Sequence, residues 1–186
     1  MTGQGPKIRY LGPGDVWLFA YGSLMWDPGF PFLEARPALL RGYHRRFCVD
    51  SLVYRGTPAR PGLVLGLDRG GACRGRAYRV AEAEREAVAR ILEVREMAED
   101  IYVCRRVPVA IDGRRVSAYA FVVNRADPIY AGPIGLEEAA RRIAVCRGMR
   151  GANLEYLEST VAHLDRLGIA DGPIHALLRR ARELSG

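Results

Sequence analysis

Lysine is all but missing from this chain: among its 28 basic residues Lys7 is the only one, and the rest are arginine. The formal charge is +7, but the arginines are spread from end to end and accompany no nucleic-acid motif. The charge is read as surface composition, part of which attracts an acidic small molecule, and no nucleic-acid partner is expected. No apolar run approaches the ~20 residues that cross a bilayer, so no membrane association is expected. Histidine is scarce and dispersed, at His44, His163 and His175. Cys48, Cys73, Cys104 and Cys146 form no C-x-x-C pair, and none stands at ligand spacing from a histidine. That pattern predicts reduced, mostly buried thiols and no metal site, and leaves open one nucleophilic cysteine. There is no G-x-G-x-x-G after a strand, no G-x-x-x-x-G-K and no G-x-S-x-G, so neither nucleotide phosphates nor a serine nucleophile is supported. Residues 1–14 are polar and glycine-rich without the apolar core of a signal peptide; a flexible segment and a cytoplasmic location are expected.

What is present is enough chain for one domain, expected over residues 15–186. Its first two-thirds carries short β-like runs: Val16 to Ala20, Leu39 to Leu52, Gly62 to Leu67 and Arg76 to Val80. Gly70-Gly71 and Pro61-Gly62 punctuate them. Ala81 to Glu93 reads as a helix, with Val88, Ile91 and Leu92 on one face. Tyr102 to Val109 and Val116 to Val123 follow as strands joined at Asp112-Gly113. Three helices close the chain: Leu136 to Arg147, Leu154 to Leu167 and Pro173 to Leu184. Strands first, helices last and one helix inserted predict an α+β fold.

Four segments are candidates for chemistry. The apolar run Val16 to Ala20 breaks at Tyr21-Gly22-Ser23-Leu24 and stops at Asp27-Pro28-Gly29. Such a bend is either a tight turn on a core strand or a cradle whose N–H groups meet an anion or a polarised carbonyl. Arg95-Glu96 closes the inserted helix, either as a surface ion pair or as a general base tuned by partial burial. Asp127 to Pro133 is a turn after a strand, and in Arg147 to Leu157 glycines break one helix while Asn153 is placed to cap the next.

Taken in order, these pieces resemble the ChaC-type γ-glutamylcyclotransferases. The matching residues are Tyr21 to Phe30, Arg41 to Phe47, Tyr54 to Pro58 with Pro61-Gly62, Gly75 to Val80, Arg95-Glu96, Pro128 to Tyr130, Gly151 to Leu157 and Asp171 to His175. The resemblance implies a small mixed β-barrel flanked by helices. It implies release of 5-oxoproline from a γ-glutamyl compound, typically glutathione, which leaves Cys-Gly. It assigns the catalytic carboxylate to Glu96, the grip on the γ-glutamyl group to Tyr21, Gly22, Ser23 and Leu24, and a substrate-facing tyrosine to Tyr130. Arg55, with Ser23 and the turn N–H groups, is a further candidate for the substrate's α-carboxylate.

No metal or coenzyme is required, because the substrate's own α-amine is a tethered nucleophile. One departure stands out: relatives carry glycines a few residues after Arg-Glu where this chain has Glu99-Asp100. That change keeps open a γ-glutamyl-amino acid or γ-glutamyl-amine as substrate. A non-catalytic module binding a ligand or RNA on the same fold is the alternative outside enzymes.

Overall fold

The computed structural model describes residues 12–96 and 100–186. Most of the N-terminal segment, and Glu99, therefore lie outside the described residues. Within the described part, Gly12 N–H donates to Tyr119 Oη at 2.9 Å and Gly14 N–H to Glu82 Oε1 at 3.0 Å.

The strands are β1 (Val16–Ala20), β2 (Glu34–Ser51), β3 (Gly62–Val80), β4 (Tyr102–Ile111) and β5 (Arg114–Val123). They close into a barrel in the order β1-β3-β2-β4-β5. β1 runs antiparallel to β3, from Val16 opposite Val80 to Ala20 opposite Arg76, and parallel to β5 at Trp17 opposite Ala118. The expected α+β class is what forms: a closed five-stranded barrel in a chain that also carries four α-helices among its described residues. Closure leaves β1 with a partner on each side, so its short length is no liability.

By packing, the chain divides into two compact units. One holds the residues up to Arg45 with Leu67–Asn124; the other holds Arg46–Gly66 with Arg125–Gly186.

In the first unit, β4 and β5 are joined by Asp112 (φ 47°) and Gly113 (φ 77°) between the paired residues Ile111 and Arg114. Two positive φ values in a two-residue loop are the hairpin geometry that matches strand twist. Val107, Val109, Ala118 and Ala120 are buried. The inserted helix α1 (Arg85–Glu96) follows a 3₁₀ turn at Glu82–Glu84 and buries Val88 and Leu92, one turn apart. It runs past Glu93, the expected end, and Glu96 is its last described residue.

β3 corrects the reading of two separate strands. The chain continues through Gly70 (φ 104°) and Gly71 (φ 65°) without leaving the sheet. Residues without Cβ absorb the bend inside the strand, so the pair marks a distortion rather than a loop.

In the second unit, α2 (Leu136–Val145), the strand pair β6 (Arg147–Gly148) and β7 (Gly151–Ala152), α3 (Asn153–Arg166) and α4 (Gly172–Ser185) follow one another. α2 contributes Ala140 and Ile143 to the core, α3 Leu157 and Leu164, and α4 Ile174 and Ala181. α4 starts as its sequence dictates: Asp171 Oδ1 accepts from Ile174 N–H, and Pro173 stands in the first turn. No described helix is long and apolar enough to cross a membrane.

Candidate active site

β1 delivers the chain into the bend at Tyr21. Gly22 takes φ −127° and ψ −137°, outside both the helical and the strand basins, and Ser23–Met25 forms one 3₁₀ turn. Met25 N–H bonds Gly22 O at 2.9 Å, Trp26 N–H bonds Ser23 O at 3.1 Å and Asp27 N–H bonds the same oxygen at 2.9 Å. The first N–H groups of such a turn have no acceptor within it. Those of Ser23 and Leu24 accordingly have no protein partner among the described residues. Tyr21, Leu24 and Met25 are buried while Ser23 is exposed, so the turn is anchored in the core and offers its polar side outward.

Two buried side chains hold this turn. Arg45 donates from Nε to Tyr21 O at 2.5 Å and from Nη2 to Arg74 O at 2.8 Å. Tyr78 donates its hydroxyl to Met25 O at 2.7 Å and packs edge-on against Phe30, with ring centroids 5.7 Å apart. The sequence pattern held a signal for Arg45: it shares parity on β2 with Phe47 and Val49, both buried, so an arginine stands in the inward register.

The end of α1 is fastened to the loop that follows the turn. Arg95 Nη1 donates to Pro28 O at 3.0 Å, and Arg95 Nη2 lies 3.9 Å from Asp27 Oδ2. Glu96 is the next residue and is half-buried. Burial pushes its carboxyl above the ordinary carboxylate range, and the Arg95 guanidinium pulls it part of the way back. Glu96 thus has the features of a proton-transfer group: a raised proton affinity, on a helix end held against the glycine-bearing loop.

Tyr130 and Arg55 belong to the second unit. Tyr130 makes an antiparallel bridge with Val49, its N–H bonds Asp127 O at 3.0 Å, and the Arg125 guanidinium lies 5.9 Å from its ring centre. Arg55 Nη1 donates to Arg150 O at 2.5 Å and Ala152 O at 3.2 Å, and the guanidinium lies 5.2 Å from the Tyr156 ring centre. Its Nε and Nη2 have no hydrogen bond among the described residues.

Asn153 does not cap α3. Fully buried, it donates from Nδ2 to Leu63 O at 2.7 Å and accepts Leu63 N–H on Oδ1 at 2.6 Å. A carboxamide matches a peptide edge with one donor and one acceptor, and that pairing wins over the local cap. Glu155 instead accepts the Ala152 N–H at 3.1 Å.

All four cysteines are free thiols, and Cys48, Cys73 and Cys146 are buried. Burial pushes the Cys104 thiol up to about 11, which argues against a nucleophilic role there. Among the described residues no three His, Cys, Asp or Glu side chains are grouped to hold a metal ion.

Comparison with known proteins gives a consistent result. A family model described as ChaC-like protein matches residues 16–184. The chain is 37% identical over 172 residues to the glutathione-specific gamma-glutamylcyclotransferase of Escherichia coli (strain K12), covering 92% of this chain and 74% of that protein. It is 36% identical over 157 residues to glutathione-specific gamma-glutamylcyclotransferase 1 of Danio rerio, covering 82% and 80% of the two chains. A crystal structure of a yeast γ-glutamyl cyclotransferase specific to glutathione superposes with a TM-score of 0.82 at 24% identity, covering 92% of this chain and 100% of that one. This last likeness establishes the fold.

Proposed function

The chain belongs to the ChaC-like family, and on that premise we propose that it is a γ-glutamylcyclotransferase acting on glutathione, releasing 5-oxoproline and Cys-Gly. The observation that carries this reading is Glu96: a half-buried carboxyl of raised proton affinity, whose neighbour Arg95 bonds the loop after the Tyr21–Leu24 bend.

The chemistry follows from the substrate's own geometry. The α-amine of a γ-glutamyl group reaches back to its γ-carbonyl carbon and closes a five-membered ring. Tethering of this kind is worth effective molarities of ~10⁵ M or more when the geometry is held. The ammonium first gives a proton to Glu96. The amine nitrogen then bonds to the carbonyl carbon, and the negative oxygen formed is received by the free N–H groups of Ser23 and Leu24, at about 3 kcal/mol per donor. The C–N bond to the cysteinyl residue breaks as Glu96 returns the proton to the departing nitrogen, and the extra proton on the ring nitrogen passes through the same carboxylate to the released amine, which leaves as an ammonium. One carboxyl serves as base and then acid, a contribution of roughly 10²–10⁴-fold.

Tyr21 and Gly22 complete the cradle for the γ-glutamyl group. Tyr130 is proposed as a substrate contact from the family resemblance. Arg55 is proposed for a substrate carboxylate, because Nε and Nη2 carry no bond among the described residues. The cytoplasm, where glutathione is abundant, is the proposed location.

The test is incubation of the purified protein with glutathione, γ-glutamyl-amino acids and γ-glutamyl-amines, with 5-oxoproline and the released amine both measured. Glutathione is expected to give equal amounts of 5-oxoproline and Cys-Gly. Turnover of another γ-glutamyl compound in its place would reassign the substrate, and no turnover of any would reject the reading.

A further inference from the structure

Two side chains absent from the expected site hold the first and last carbonyls of the catalytic bend. Arg45 is only 3% exposed and Tyr78 only 1%. Arg45 Nε bonds Tyr21 O, where the bend begins, and its Nη2 spans to Arg74 O on β3 and lies 3.7 Å from Met25 Sδ. Tyr78 Oη bonds Met25 O, where the bend ends. Between these two points Met25 N–H bonds Gly22 O in a single 3₁₀ link, and Ser23 O accepts from Trp26 and Asp27 just beyond. One such link is a weak constraint, because an isolated turn fixes several dihedrals for one hydrogen bond. Its first and last carbonyls are therefore fixed from outside as well, by β2 through Arg45 and by β3 through Tyr78, with Arg76 Nη1 also 3.4 Å from Met25 O.

Packing alone would not select an arginine at that place. Burying a guanidinium costs more than burying an apolar chain of similar volume, and the pattern of β2 asks for an apolar residue. What the guanidinium supplies is a planar fork that bonds two carbonyls from different strands at once. A charged donor on Tyr21 O also polarises the peptide whose N–H belongs to Gly22. Burial raises the Tyr78 hydroxyl's pKa, which keeps it in the donating form.

We propose that Arg45 and Tyr78 are positioning residues for the cyclotransferase reaction: they fix the Tyr21–Met25 bend so that its free N–H groups meet the negative oxygen formed in the transition state. The proposal rests on the cyclotransferase reading and adds to it two residues that do not touch the substrate.

Three variants test it: Tyr78→Phe, Arg45→Met and Arg45→Lys. For each, kcat and KM with glutathione are measured well below the melting temperature. The pH profile and residue-resolved amide hydrogen exchange complete the set. Tyr78→Phe, which removes one oxygen, is expected to lower kcat about 10-fold with KM little changed, the pattern of lost transition-state stabilisation. Arg45→Met is expected to lose about 100-fold, the scale of a 1 Å misplacement, and Arg45→Lys to recover part of it through one charged donor. Exchange should quicken at residues 22–26 and stay unchanged elsewhere in the barrel. The acid limb of the pH profile, which belongs to Glu96, should not move. Wild-type kcat in Tyr78→Phe, or an Arg45→Met loss that only follows a fall in folded fraction, would overturn the proposal. If Arg45→Met does not fold, Tyr78→Phe and Arg45→Lys decide. Should the wild type release no 5-oxoproline, the enzymatic reading fails by itself, while local exchange in Tyr78→Phe still reports whether these residues hold the bend.

Discussion

Gly29 and Arg95 stand so close that a Cβ added to Gly29 would lie 2.6 Å from Arg95 Nη1. Gly29 also adopts φ +69°, a conformation that side chains disfavour. Gly29→Ala is therefore expected to cost about 1 kcal/mol or more in backbone strain. The Arg95 tip can swing away, but only by giving up its bond to Pro28 O. Turnover should fall further than the loss of folded protein explains, read from a thermal melt beside 5-oxoproline release. A variant with a lowered melting point and full turnover would separate the Arg95 tie from catalysis.

The pH dependence of the rate should carry the mark of the same arginine. In the proposed reaction Glu96 must be ionised to accept the substrate's proton, so the rate is expected to fall as pH drops through its pKa. Burial sets that limb above the ordinary carboxylate value, and Arg95 opposes the shift. Removing the charge in Arg95→Met should move the acid limb of kcat to higher pH. An acid limb that stays put, or moves down, would place the governing group elsewhere.

Glu96→Gln should remove turnover, because a carboxamide accepts no proton near neutral pH. It should also raise stability. A carboxyl whose folded pKa exceeds its unfolded value holds its proton more tightly when folded, so folding loses free energy as pH rises from the unfolded pKa through the folded one. Above the unfolded value the native protein bears that loss and the glutamine variant does not. Denaturant melts at pH 4 and pH 7 should show the variant's advantage only at the higher pH.

Asn153→Ala leaves the buried N–H and C=O of Leu63 without their partners. Unsatisfied buried groups cost about 1–3 kcal/mol each, so a loss of several degrees in melting temperature is expected. A loss within experimental error would mean that water takes the place of the carboxamide.

Much of this was legible in the chain because local signals and the fold agree. Asp112-Gly113 announced its hairpin, Pro173 the start of α4, and Val88, Ile91 and Leu92 a helix face of which Val88 and Leu92 are buried and Ile91 half-buried. The order of short motifs around Tyr21 to Leu24 and Glu96 pointed to the chemistry. Misreadings fell where tertiary pairing overrides local preference. Asn153 is a good cap by composition, yet the free peptide edge of Leu63 claims it. Gly70-Gly71 is a turn by composition, yet the sheet carries the chain on through a bend within one strand. Arg45 and Tyr78 act through contacts across the barrel from residues distant in sequence, and no spacing rule encodes which carbonyl a buried donor will reach.

The burial of Cys48, Cys73 and Cys146, with the high pKa of Cys104, bears on life beside a thiol tripeptide. Exchange with oxidised glutathione needs an accessible thiolate, and these sulfurs are either enclosed or held as neutral thiols. A protein so made is expected to resist glutathionylation by the disulfide form of the molecule it is proposed to degrade. Its turnover would then follow the supply of reduced glutathione rather than the redox poise around it.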